Sequence, residues 1–376
     1  MGLRLLRSKV GKIINNLQGW HTDRKIMVIE SDDWGSIRMP SREIYRKCLK
    51  AGYPVDKTEY EQYDSLLSQK DLELLFELLL SFRDKNGNNP VITANCVVAN
   101  PDFEKIKKDD FKMYHFELIT ETFKKYPEHE NNFNLWLEGI ENRIFFPQYH
   151  AREHLNVSLF MEALGKRDKD VHFSFDNQMP GCIPTGPEVK GNMYIEATKF
   201  NSKSDKELKL EIYLEGIELF EKLFGYSSET IIPPNYIWSP DFDQAVLEKG
   251  VKFFQGAPKY REPDLKGGYK YHSIYTGKSN NLGQIYLARN CIFEPSLFKL
   301  GINDPVERCL SDMSIAFKLK KPAIITSHRI NYVGHIDLNN RNRTLDFLEK
   351  LISKAIKRWP DIEFMNSKNL GKSIIN

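Results

Sequence analysis

Eight short apolar runs narrow the folds open to this 376-residue chain more than any other feature; they lie at residues 26–29, 91–98, 144–149, 231–234, 251–255, 285–290, 323–327 and 362–365. Runs so short and so continuously apolar suit strands covered on both faces, which is how parallel sheets are built. Helical patterns separate several of them. Residues 71–82 read DLELLFELLLSF, dense in good helix formers, within a helical stretch at 66–82 that Asn86 and Gly87 stop. Residues 206–224 form an amphipathic stretch closed by Gly225. Ser239 and Pro240 supply an N-cap and first-turn signal for a helix ending at Gly250, and residues 344–359 form another amphipathic helix. This alternation predicts an α/β fold with a mostly parallel sheet, and the number of repeats favours a distorted (β/α) barrel of roughly seven strands over an open doubly wound sheet. No GxGxxG follows the first run and there is no Walker loop, so the usual reason for a nucleotide-binding sheet is missing.

Residues 1–24 read as a surface helix and linker, and 25–376 as one barrel domain with helical insertions at 36–90 and 99–141. An apolar piece at 171–175 precedes a loop holding Pro180, Gly181, Pro184, Gly186 and Pro187, a composition found at cleft rims and in plain surface connections alike. Hydrophobic residues make up 41% and charged residues 28%, so a core is available and disorder is not indicated. The net charge of +3 comes without a basic tract, which implies no nucleic-acid partner. The N-terminal MGLRLLRSKVGKIINNL is basic and mildly amphipathic, leaving a membrane-surface contact open. It lacks the apolar centre and cleavage site of a signal peptide, and no run is long enough to span a bilayer. Five widely spaced cysteines, Cys48, Cys96, Cys182, Cys291 and Cys309, form no CxxC pair and predict reduced thiols in a cytoplasmic protein. A metal would therefore be held by His and carboxylate.

The first run leads into Glu30, Ser31, Asp32, Asp33 and a Trp-Gly turn. Adjacent buried anions repel and lose water, so Asp32 and Asp33 either cap a solvated turn or meet a cation, of which a divalent metal is the simplest. Further on, HAREH places His150 and His154 four apart, so that in a helical turn both imidazoles would share one face and one ion; a pair of structural histidines is the alternative. Parallel strands collect their C-terminal ends at one mouth, which would bring these groups together. Two His and one Asp then make a three-ligand centre with open positions, the second Asp is free as a base, and His328, ending the run IITSH, can serve as general acid or as a satisfied structural histidine.

With these motifs, the IIPPNYIW element and the closing RWPDIEFMNS, the sequence from about residue 25 to 366 resembles the polysaccharide deacetylases, metal-dependent carbohydrate esterases. The resemblance implies a distorted (β/α) barrel and hydrolysis of an N- or O-acetyl group on a sugar. It implies Asp32 as catalytic base, Asp33, His150 and His154 as metal ligands and His328 as general acid. Tyr236 lies near the family's groove aromatic, whose backbone amide helps hold the oxyanion. Asn235 is expected beside it in the substrate groove, and Trp34, Trp238 and Tyr236 are candidates for stacking on sugar rings, although most barrel aromatics are core. The expected ion is Zn²⁺, with Co²⁺, Ni²⁺ and Fe²⁺ equally suited to such ligands. A soluble or lipid-linked saccharide precursor is the expected substrate.

Two family features are displaced. Ile231 and Ile232 stand where the family places an arginine that orients the base, leaving Arg152, Arg289 or Arg38 as substitutes; Asp312 and Asp243 are candidates for the acid that tunes the histidine. Two rival readings follow. HAREH also satisfies His-x-x-Glu-His, the inverted zinc-peptidase motif with Glu153 as base. A barrel that binds glycan but has lost turnover would fit the displaced arginine.

Overall fold

The computed structural model describes residues 16–180, 193–298 and 304–375. The segment 1–15 and most of the Pro/Gly-rich loop, residues 181–192, lie outside the described residues. In chain order the strands are β1 (Lys25–Trp34), β2 (Ile92–Val97), the short pair β3 (Ala99–Pro101) and β4 (Phe116–Leu118), β5 (Phe145–Ala151), β6 (Thr230–Ile231) and β7 (Phe253–Gly256). They continue with β8 (Lys259–Pro263), β9 (Tyr269–Ser273), β10 (Ile285–Ala288), β11 (Cys291–Ile292), β12 (Ala323–His328) and β13 (Ile362–Met365).

The main sheet runs β10-β7-β6-β5-β2-β1-β12-β11, with β13 beside β1 as a branch, and every pairing in it is parallel. β10 and β11 are halves of one extended stretch. Arg289 N donates to Gly256 O on the β7 side (2.8 Å), and Asn290 N to Ile324 O on the β12 side (3.0 Å). One piece of chain therefore joins the two ends of the strand order, as the distorted (β/α) barrel requires. Strands packed on both faces must be apolar throughout, which is why residues 26–29 and 323–325 are all buried.

Both insertions carry helices, Arg42–Lys50, Glu59–Tyr63 and Gln69–Leu80 in the first and Phe103–Lys108, Ile119–Lys125 and Asn132–Glu141 in the second, with β3 and β4 alongside the latter. Two local expectations change. Residues 171–175 belong to the helix Lys169–Asp176, capped by Asp168, whose carboxylate accepts from Asp170 N and Val171 N. Ser239 makes no side-chain cap; a single 3-10 turn, Pro240–Phe242, leads into the helix Asp243–Glu248.

The helix Lys203–Phe224 starts at the Ser202 cap, ends at Gly225 in the left-handed conformation, and crosses β5 through Gly216. A Cβ at Gly216 would lie 2.0 Å from Tyr149 Oη and 2.8 Å from Arg152 Cβ. Gly216→Ala must push this helix off β5 and break the bond from Tyr149 Oη to Tyr213 O (2.9 Å). It is expected to cost about 2–3 kcal/mol in urea unfolding. A loss under half a kcal/mol would show that the contact is slack.

Candidate metal centre and acid–base groups

Two bulges aim the polar side chains. Between β1 and β2 the register shifts from Ser31 opposite Ala94 to Trp34 opposite Cys96, and Asp32 and Asp33 occupy the extra length. Asp33 has φ 72°, a left-handed backbone that is costly for a residue with a side chain and recurs at functional sites. Between β2 and β5 the register shifts from Tyr149 opposite Cys96 to Ala151 opposite Val97, which leaves His150 as the bulged residue. His150 thus ends a strand and His154 sits in the bend after it; the helical turn expected for HAREH does not form.

Asp33 Oδ1 lies 3.6 Å from His150 Nε2 and 3.4 Å from His154 Nε2, and all three residues are buried. His150 Nδ1 lies 2.6 Å from the Ile232 carbonyl, so as donor there it turns the Nε2 lone pair to the site, where that atom has no hydrogen-bond partner. Burial pushes the His154 imidazole down to about 3, leaving it a neutral donor. Burial raises Asp33 as well, but His154, His150 and Arg38 outweigh it and hold the carboxyl well below the usual range. Among the described residues this is the one group of three whose potential ligand atoms lie within 4.8 Å of one another. An orphaned buried imidazole nitrogen beside an ionised carboxylate and a second neutral imidazole fits a divalent ion.

Asp32 pairs with His328 across the β1–β12 register. Its carboxylate is forked onto Arg289, with Nη1 to Oδ2 at 2.7 Å and Nη2 to Oδ1 at 2.6 Å, and accepts from Asn95 Nδ2 at 2.7 Å. The same guanidinium reaches Glu30 Oε2 through Nε at 2.7 Å. Burial raises Asp32, yet Arg289 more than offsets it and brings the carboxyl down to about 2. Among the three candidates for the displaced arginine, Arg289 holds Asp32. Arg152 is spent on Glu153 and Glu215, and Arg38 bridges Asp33 (3.4 Å) and Asp64 (3.1 Å).

His328 Nε2 faces Asp32 Oδ2 at 3.7 Å, and its Nδ1 is 2.6 Å from Glu294 Oε1. Burial lowers its pKa, but Glu294 and the two aspartates reverse this and lift it to about 9. Glu294 therefore takes the place foreseen for Asp312 or Asp243; Asp243 instead accepts from Trp238 Nε1 (2.8 Å). Glu294 lies two residues beyond the two-residue strand β11, which is too short to stand out in the sequence. Asn95, a lone amide inside an apolar run, was a readable signal. The ring of Tyr60, from the first insertion, meets His328 edge-on at 5.8 Å.

The expected sugar-stacking roles of Trp34 and Trp238 are not met. Trp34 is fully buried with Nε1 on Ser31 Oγ (2.9 Å), and Trp238 is 2% exposed, so neither offers a face to a ligand. Tyr236 N donates to Pro233 O (3.0 Å), so its backbone amide is taken; its phenol instead meets Arg289 Nη1 at 3.3 Å. Asn235 precedes it with φ 55° and is partly exposed. Both Glu153 oxygens lie on Arg152 (2.6 and 2.7 Å), and the carboxylate beside the two histidines is Asp33, not the distant Glu that the peptidase motif would bring as third ligand.

No family model matches this sequence, and no curated protein matches it. Solved structures do. A predicted glycoside hydrolase/deacetylase from Parabacteroides distasonis aligns over 94% of this chain and 72% of its own, with TM-score 0.52 and 11% identity. The Puue allantoinase aligns over 94% and 91% (TM-score 0.48, 10% identity), and a predicted polysaccharide deacetylase from Mycobacterium smegmatis over 95% and 92% (TM-score 0.43, 9% identity). At 11% identity the first of these, with TM-score 0.52, shows a shared fold alone; the chemistry must be argued from the side chains.

Proposed function

We propose that this chain is a metal-dependent hydrolase that removes an N- or O-acetyl group from a saccharide. The observation carrying the proposal is the juxtaposition at one strand-end mouth of a buried Asp33–His150–His154 triad, an Asp32 carboxylate kept ionised by Arg289, and a His328 imidazolium kept protonated by Glu294. Bound at the triad, a divalent ion, with Zn²⁺ the first candidate, supplies Lewis acidity to the attacking water and the acyl oxygen. Asp32 accepts the proton of that water. His328, through Nε2, returns a proton to the departing amine or alcohol, while Glu294 holds Nδ1–H and keeps the ring aimed.

The displaced arginine motivated a barrel without turnover. Arg289 supplies that charge from the β10–β11 junction, which supports the catalytic reading instead. Among the described residues no helix is long and apolar enough to cross a membrane, and Cys48 and Cys96 form no disulfide. The odd number and wide spacing of the five cysteines support a reducing compartment, the cytoplasm; recovery of the protein outside the cell on fractionation would contradict that.

Metal analysis of purified protein beside Asp33→Ala and His150→Ala, with acetate release from acetylated sugars followed on the same samples, tests the proposal. About one ion per chain is expected in the parent and none in either variant, with release tracking the ion. A chain that takes up no ion after reconstitution, or holds one and frees no acetate from any acetylated sugar, would overturn it.

A further inference from the structure

Attack of water on a carbonyl puts negative charge on its oxygen, and a donor aimed at that oxygen is worth most where little water competes. The backbone amide of Tyr236 is taken by Pro233 O, which leaves that role open. Tyr60 stands ready for it. Its hydroxyl has no hydrogen-bond partner among the described residues, the residue is partly exposed, and its ring meets the His328 imidazole edge-on with centroids 5.8 Å apart. Burial, followed by the Glu294 and Asp33 carboxylates, holds the phenol well above its ordinary value, so it stays a donor.

The first insertion fixes this ring against both ends of the site. Tyr60 lies in the helix Glu59–Tyr63, which Thr58 caps and the buried Asp64 ends. Asp64 N donates to Tyr60 O (3.0 Å), while its carboxylate takes Arg38 Nε (3.1 Å) and Arg329 Nε (2.9 Å). Arg38 continues to Asp33 (3.4 Å) and lays its guanidinium over the Tyr60 ring at 4.8 Å. Arg329 directly follows His328 in the chain. One carboxylate thus registers Tyr60 against the metal centre and against the acid. Two guanidiniums on a buried carboxylate are costly to desolvate, so stability alone is a poor reason for them and positioning is a better one.

We propose that Tyr60 is a further catalytic residue, whose hydroxyl donates a hydrogen bond to the acyl oxygen as charge develops there. The inference rests on the acetyl-sugar hydrolase reading and adds to it a donor supplied by the first insertion. Tyr60 transfers no proton. The proton of the attacking water goes to Asp32 and that of the leaving group comes from His328, so the phenol leaves the step as it entered. Because the bond strengthens only as the oxygen becomes anionic, it acts on kcat and hardly on substrate affinity.

Tyr60→Phe keeps the ring against His328 and Arg38 and removes only the hydroxyl. In acetate release from an acetylated sugar, kcat is expected to fall about a hundredfold with KM within about twofold of the parent. Ion content, urea unfolding and the NMR titration of the His328 ring are expected to stay as in the parent. A second readout needs no turnover: calorimetry of the zinc-loaded chain with methylphosphonate, a tetrahedral anion with no acyl bond to cleave, should show about tenfold weaker binding in the variant. Tyr60-dependent methylphosphonate binding by a chain that frees no acetate would uphold the donor and sink the hydrolase. Acetate release with kcat unchanged in Tyr60→Phe would sink the donor alone. A rise in KM at constant kcat, a shifted His328 titration, or methylphosphonate binding that is absent from the parent or equal in both chains also overturns it.

Discussion

Arg289→Met is expected to lower stability by about 3–5 kcal/mol and to reduce turnover about a thousandfold while leaving the bound ion in place. The guanidinium is buried, donates to Glu30 Oε2 through Nε and grips both oxygens of Asp32. Removing it leaves two buried carboxylates with no guanidinium, held by neutral donors such as Asn95 and Ser367. The largest opposition to burial is then gone, and both groups take up protons at higher pH than in the parent. The sign follows from linkage: because the folded-state carboxyl of Asp32 is depressed to about 2, its contribution to stability is present above its ordinary range near 4 and lost as pH falls toward 2. In the variant that increment disappears and stability declines with rising pH instead. Urea unfolding between pH 4 and 8, beside metal content and acetate release, measures all three effects. Arg289→Lys is not expected to rescue, since one ammonium cannot reproduce the fork on Asp32 together with the bond to Glu30. Unfolding curves that superimpose for the parent and Arg289→Met would refute the placement of Arg289 between the two acids.

Glu294→Gln should drop the His328 imidazole by more than one pH unit. Glu294 is the largest influence raising that group to about 9, and Asn331 Nδ2 holds its second oxygen at 2.7 Å. A histidine raised above its ordinary value near 6.5 contributes stability fully present below that value and lost as pH rises through about 9; in the variant the loss begins earlier. A divalent ion at Asp33, His150 and His154 pushes the same group downward, so the loaded chain titrates below the metal-free one. Titration of the His328 ring by NMR in metal-free protein, parent against variant, isolates the Glu294 effect. The alkaline limb of the rate profile of loaded protein should move in the same direction. An unmoved ring titration would show that Glu294 does not set the acid.

Much of the site could be read from residue order because its parts sit where strand runs end. Asp32, Asp33, His150 and His328 each follow an apolar run, and parallel strands must deliver such ends to one mouth. The groups that could not be read act across the barrel. Arg289 sits at the junction, and Glu294 just past the end, of a stretch whose two halves β10 and β11 pair with different neighbours, a change of partner that leaves no periodicity to detect. Trp34 misled for the converse reason: proximity in sequence to site residues says nothing about which side of the strand a ring occupies once a bulge has shifted the register, and Trp238, outside any strand, is buried with its indole nitrogen on Asp243.

The sequence alone determined the α/β class, the barrel, the carboxylate pair and the histidines, since hydrophobic run length and strand-end polarity are local properties written residue by residue. Only the tertiary structure decided that Arg289 neutralises Asp32, that Glu294 charges His328, and that His150 and His154 converge through a bulge and not a helical turn. Each of these depends on the register between strands far apart in sequence, where a shift of one residue moves a side chain to the opposite face.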